Sequence, residues 1–133
     1  MSKKIMIVDD SSFARKMIRN ILVSDGHEII GEFESGSLSV EEYSSLKPDL
    51  VTMDIIMHEM NGLEALDKIL SIDPDARIII VSFMNDKESI NNSLQAGAMD
   101  FVTKPFSRER LLESVECALS KSALTSDKNK PSG

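Results

Sequence analysis

Two stretches of this chain carry four apolar residues in a row, Ile5-Met6-Ile7-Val8 and Ile78-Ile79-Ile80-Val81. A strand with one wet face alternates apolar and polar residues. A strand that is apolar at every position is covered on both faces. Full coverage of that kind belongs to parallel sheets, because the crossovers between parallel strands lay helices over the sheet. Between these runs the period changes to that of a helix. In residues 11–24, Phe13, Met17, Ile18, Ile21 and Leu22 recur at helical spacing, and Asp25-Gly26 ends the pattern.

The alternation continues to the end. Residues 27–33 read as a strand, 37–46 as a helix closed by Lys47-Pro48, and 49–54 as a strand. Residues 62–72 form a helix with Leu63, Leu66, Ile69 and Leu70 on one side, followed by Asp73-Pro74. Strand 77–82 leads to helix 86–96, which stops at Gly97. Strand 99–103 leads to a last helix from 107 to about 122. Five strand-helix units predict an α/β fold, a five-stranded parallel sheet with helices on both faces. Residues 1–122 then make one domain. Residues 123–133 include TSDKNKPSG, which has no strong apolar residue, and read as a disordered tail.

Charge and composition exclude several partners. The net charge is −7, which disfavours nucleic acid and anionic membranes. No apolar run approaches the roughly 20 residues of a membrane span. Cys117 is the sole cysteine, so no internal disulfide forms. A soluble, cytoplasmic protein is expected.

In an open parallel sheet the functional crevice lies at the carboxyl ends of the strands. Here strand one ends at Asp9-Asp10, strand three at Asp54, strand four at Ser82, and strand five at Thr103-Lys104-Pro105. Three carboxylates at one edge repel one another, and a hard cation such as Mg²⁺ relieves that repulsion. A lysine adds a charge that pairs with phosphate, and a serine hydroxyl bonds a phosphoryl oxygen. Metal, lysine and hydroxyl around one aspartate make a phosphoryl-transfer site, with the aspartate as a possible nucleophile. A lone aspartate at a strand end more often caps the next helix, and a lone lysine or serine means little. Their joint placement on successive strand ends is what points to chemistry. GxGxxG and GxxxxGK[ST] are absent. The first loop, opening with two negative charges, does not suit the bare phosphate of a flavin mononucleotide.

At these residues the chain resembles the response-regulator receiver domains of two-component signalling. The match is carried by IVDDSSFARKMIRNIL, KPDLVTMDIIMHEMNGLEAL, IIIVSFMND and AGAMDFVTKPF. The resemblance implies a (βα)5 flavodoxin-like receiver fold, with Asp54 as phosphoacceptor. It implies that Asp9 and Asp10, with Asp54 and the backbone carbonyl of Ile56, hold Mg²⁺. Ser82 and Lys104 contact the phosphoryl group, and Phe101 is the aromatic switch that turns inward on phosphorylation. The Lys104-Pro105 bond is expected to be cis. A histidine kinase is the implied phosphodonor, and the domain catalyses its own aspartyl phosphorylation and dephosphorylation. The first helix looks closest to the chemotaxis branch. The implied output partner is a flagellar motor switch component, bound through helix four, strand five and helix five. The last helix falls close to the end of the chain, so a separate output protein is expected, with a phosphatase as a further partner.

The sequence departs from the family pattern at five positions. His58 stands where proline is usual and is read as a loop residue, not a metal ligand. Asn61 replaces a frequent aspartate. Phe83 stands where alanine or glycine is usual. Ile56 and Met84 are apolar at positions that flank the path of attacking water. Met6, Met17, Met53, Met57, Met60, Met84 and Met99 are expected in the core or in site walls. Cys117 is expected to be partly exposed, and His27 to have no special role. Rival readings are a phosphorelay shuttle to a histidine phosphotransfer protein, an unphosphorylated interaction module, and a hydrolase of the haloacid dehalogenase type. The last uses a DxD pair on strand one, which VDDS does not supply.

Overall fold

In the computed structural model, which describes residues 2–120, all ten predicted elements are present in the predicted order. They are β1 (Lys4–Val8), α1 (Ser12–Ser24), β2 (Glu28–Phe33), α2 (Gly36–Leu46), β3 (Leu50–Met53), α3 (Gly62–Ile72), β4 (Ile78–Ser82), α4 (Lys87–Gln95), β5 (Asp100–Thr103) and α5 (Arg108–Ser120). The expectation for residues 123–133 falls outside the described residues. All strand pairs are parallel, in the order β2-β1-β3-β4-β5.

The uninterrupted apolar runs divide between two cores, as two-sided burial requires. Ile5 and Ile7 face α1 and α5 and pack with Ile18, Leu22, Leu111 and Val115. Met6 and Val8 face the opposite layer and pack with Tyr43, Leu66 and Ile69 from α2 and α3. In β4 the same split sends Ile79 and Val81 one way and Ile78 and Ile80 the other. Each fully buried side chain of this size contributes ~1.5–3 kcal/mol relative to exposure.

Helix ends follow local chemistry. Ser11, Ser35, Asn61 and Asp86 are N-caps, each side chain accepting a hydrogen bond from a backbone N–H three residues on. Ser11, not Asp9 or Asp10, is therefore the capping residue of α1. Gly97, with φ of +117°, takes the chain out of α4 in a conformation that disfavours other residues.

Helical spacing and burial part company in α1. Phe13 is 71% exposed and Met17 37% exposed, so neither belongs to the core face of α1. The five apolar positions of α1 span roughly 180° at about 100° per residue, and only the half with Ile18 and Leu22 meets the sheet. The remaining edge faces a groove with Phe83, Pro105 and Phe106. His27 has a structural part. Its ring is buried, and Nδ1 accepts from the Lys3 backbone N–H at 3.2 Å, tying the start of β1 to β2.

Candidate phosphoryl-transfer site

The parallel ladder sets the site before any side chain is considered. The N–H of Asp54 donates to the carbonyl of Val8 at 3.0 Å, so Asp54 stands beside the end of β1. The N–H of Lys104 donates to the carbonyl of Ser82 at 2.8 Å, placing Lys104 beside the end of β4. Strands of equal register thus deliver four polar residues to one edge.

Carboxylate oxygens of Asp9, Asp10 and Asp54 lie within 4.8 Å of one another. Lys104 Nζ donates to Asp9 Oδ2 at 2.6 Å and to Asp54 Oδ2 at 3.1 Å. Asp9 is almost wholly enclosed, and the Lys104 and Asp54 side chains are each over nine-tenths buried. The other oxygen of Asp9 accepts from the Ser11 N–H at 2.9 Å, and its carbonyl accepts from Arg15 Nη1 at 2.6 Å. Lys104 is therefore a buried, doubly paired cation, deeper than its place at a strand end suggested.

Burial pushes the Asp54 carboxyl above the usual range. Lys104 opposes this, Asp9 adds to it, and a hydrogen bond from the Ser82 hydroxyl opposes it; the balance is upward. Burial works against the charge on Lys104. The hydrogen bond to Asp9 and the negative field of Asp54 and Asp9 outweigh it, so its pKa lies above the ordinary lysine value. Both directions describe a cluster short of positive charge.

Three hard oxygen donors at such spacing, two of them already gathered on an ammonium, fit a divalent cation of the Mg²⁺ kind. The β3–α3 loop that carries Ile56 is held close. The Gly62 N–H donates to the Ile55 carbonyl at 2.7 Å. A side chain at Gly62 would overlap the carbonyl oxygen of Asp54, so glycine is required there.

Ser82 is fully buried. Besides its bond to Asp54, its oxygen accepts from the Met84 N–H at 3.2 Å. Phe101 is 7% exposed and packs in the core cluster that holds Ile80 and Ala98. The Lys104-Pro105 bond is cis, as expected. Ile56, two residues past Asp54, is 60% exposed, whereas Met84 is partly buried against the core and its sulfur accepts from the Ser89 hydroxyl of α4 at 3.9 Å. Cys117 is exposed on α5, away from the site.

Two features escaped sequence reasoning. The ring of Phe83 lies over Lys104, 5.3 Å from Nζ, where its face favours the ammonium. Phe83 is 67% exposed and, with Phe13, Met17 and Phe106, gives the charged site an apolar rim. The bulk of Phe83 was a visible signal, but its pairing with Lys104 was not. Arg15 on the carbonyl of Asp9 left no signal, since an arginine on α1 reads as surface.

Known proteins resemble this chain over most of its length. A family model described as the response regulator receiver domain matches residues 5–116. The chemotaxis protein CheY of Bacillus subtilis strain 168 is 48% identical, covering 90% of this chain and 99% of that protein. The chemotaxis protein CheY of Thermotoga maritima is 45% identical, covering 86% and 96%. Among solved structures, a CheX-CheY-BeF3-Mg+2 complex from Borrelia burgdorferi superposes with a TM-score of 0.86 at 33% identity, covering 89% of this chain and 90% of that one. The response regulator domain of Thermotoga maritima CheB gives 0.85 at 34% identity, covering 92% and 99%.

Proposed function

The chain belongs to the response regulator receiver domain family, and from that membership we propose that it accepts a phosphoryl group on Asp54 from a histidine kinase and thereby changes its affinity for an output protein in chemotaxis. The supporting observation is the placement of Asp54, buried beside Asp9 and Asp10 with the Lys104 ammonium 3.1 Å from its carboxylate.

In the transfer, an Asp54 oxygen attacks phosphorus in line with the nitrogen of a phosphohistidine. A P–O bond forms, the P–N bond breaks, and its electron pair stays with the imidazole, which takes up a proton. The carboxylates of Asp9, Asp10 and Asp54 and the carbonyl of Ile56 would hold Mg²⁺, which when bound supplies positive charge against the phosphoryl oxygens. Lys104 exchanges its bond to Asp54 for one to a phosphoryl oxygen, and the Ser82 hydroxyl does the same. Loss of these two bonds to the carboxylate frees the ends of β4 and β5 to rearrange. The surface of α4, β5 and α5 next to them is where an output protein, such as a flagellar motor switch component, would read the change.

The Asp100 carboxylate of β5 pairs with both Nη atoms of Arg110 at 3.1 and 3.3 Å. Arg110 also donates to the Phe101 carbonyl at 3.1 Å. A shift at Phe101 therefore bears directly on α5. The apolar rim of Phe13, Met17 and Phe83 gives an approaching phosphodonor protein a contact surface beside Asp54.

The test is intact mass after incubation with acetyl phosphate and Mg²⁺. The parent gains one phosphoryl group and Asp54→Asn gains none. An equal gain in both chains would refute the assignment.

A further inference from the structure

His58 holds a place next to the carboxylate cluster that its sequence position did not reveal. The backbone of the β3–α3 loop is fixed on both sides of it. Met57 is buried, the Glu59 carbonyl accepts from the Gly36 N–H at 3.2 Å, and Glu59 Oε1 accepts from the Ser37 hydroxyl at 3.1 Å. The imidazole between these anchors is 90% exposed, and its Nε2 lies 3.8 Å from Asp10 Oδ2.

Asp10 is the carboxylate of the three that Lys104 does not reach, since the ammonium is taken by Asp9 and Asp54. The cluster thus has Lys104 on its buried side and the imidazole on its solvent side. A separation of 3.8 Å is too long for a hydrogen bond. It falls between the separations of neighbouring and opposite donors on one ion, and among the three carboxylates the imidazole comes within 4.0 Å of Asp10 alone, so it has to turn inward to share an ion with them. Metal–ligand bonds of about 2.0–2.2 Å put neighbouring donors roughly 3 Å apart and opposite donors roughly 4.2 Å apart. An exposed histidine at this distance adds little to stability, so a stabilising ion pair is a weak account of its position.

We propose that the imidazole of His58 is a nitrogen donor to the ion held by Asp9, Asp10 and Asp54, converting an all-oxygen site into a mixed one that favours Mn²⁺ and later first-row divalent ions over Mg²⁺. Mg²⁺ takes oxygen ligands and keeps its water, whereas Mn²⁺ and its successors accept imidazole more readily. The side chain is exposed and unbonded among the described residues, so it can close on the ion without breaking a contact. The inference rests on the carboxylates binding a divalent ion at all.

The experiment uses the untagged chain, in which His27 and His58 are the only imidazoles. Free Mn²⁺ is counted by electron paramagnetic resonance, Mg²⁺ is added as competitor, and pulsed measurements on the bound Mn²⁺ detect directly bonded nitrogen. One bound Mn²⁺ with a nitrogen coupling is expected in the parent. In His58→Ala one Mn²⁺ still binds, the coupling is gone, and the preference for Mn²⁺ over Mg²⁺ falls roughly tenfold. Bound Mn²⁺ without nitrogen coupling in the parent would overturn the proposal, as would an unchanged ratio in His58→Ala. If neither ion binds to either protein, the carboxylate site itself is misread and the role of His58 falls with it.

Discussion

Replacing Asp54 with asparagine is expected to raise the melting temperature of the metal-free protein. The substitution keeps the shape of the side chain and removes a charge from a buried cluster. With an effective dielectric constant of about 20, the attraction lost to Lys104 at 3.1 Å is roughly 5 kcal/mol. The repulsion relieved against Asp9, at a separation of 4.8 Å or less, is at least roughly 3.5 kcal/mol. The remaining gain is the burial cost of a carboxylate, several kcal/mol, on a residue only 7% exposed. The sum favours the neutral side chain by about 1–3 kcal/mol, a rise of roughly 3–10 °C for a chain of this size. The sign with pH follows from the raised pKa of Asp54. Its contribution to stability is fully present below the unfolded value and is lost as pH rises through the folded value. The gap between variant and parent is therefore widest at neutral pH and closes as pH falls toward the ordinary carboxylate range. Thermal melts in chelator at several pH values measure it. A variant that melts at or below the parent at neutral pH, or a gap independent of pH, would refute the reasoning.

Lys104→Ala leaves Asp9 and Asp54 without their shared cation, so in chelator it is expected to lose about 3 kcal/mol, with part of the loss recovered when Mg²⁺ is added; urea melts with and without the ion report both. A variant as stable as the parent in chelator would show that the pair is not structural. Gly62→Ala is expected to displace the Asp54 backbone and cost more than about 2 kcal/mol, again by urea melts, because the added carbon meets a carbonyl and not a flexible side chain. The phosphorylated protein is expected to be long-lived, since the exposed Ile56, two residues past Asp54, offers attacking water no donor or acceptor. Ile56→Asn is expected to lose phosphate several-fold faster, about 1 kcal/mol on the barrier, while Met84→Glu, at a side chain turned toward α4, changes the rate less.

The parts of the fold that read directly from sequence are those in which one residue type has one solution. Ile78-Ile79-Ile80-Val81 is apolar at every position, and a strand between two helical layers is the structure that buries all four. The aspartates, Ser82 and Lys104 were legible because strand ends are countable and parallel register brings those ends to one edge. Pairwise geometry was not legible. Phe13 and Met17 share helical spacing with Ile18 and Leu22, and spacing alone does not say which half of a wide stripe the sheet covers. The place of Lys104 at a strand end was readable, but its bond to Asp9, 95 positions away in sequence, was not. His58 looked like a loop residue because its distance to Asp10 is set by the anchors at Met57 and Glu59.

The account turns on Asp54 as the residue that carries the phosphoryl group. Reduction with borohydride converts an acyl phosphate on aspartate to homoserine, which peptide sequencing by mass spectrometry locates. After incubation with a phosphodonor and Mg²⁺, the account predicts homoserine at position 54 and at no other aspartate. Homoserine at Asp9 or Asp10, or a phosphorylated protein with unaltered Asp54, would contradict it.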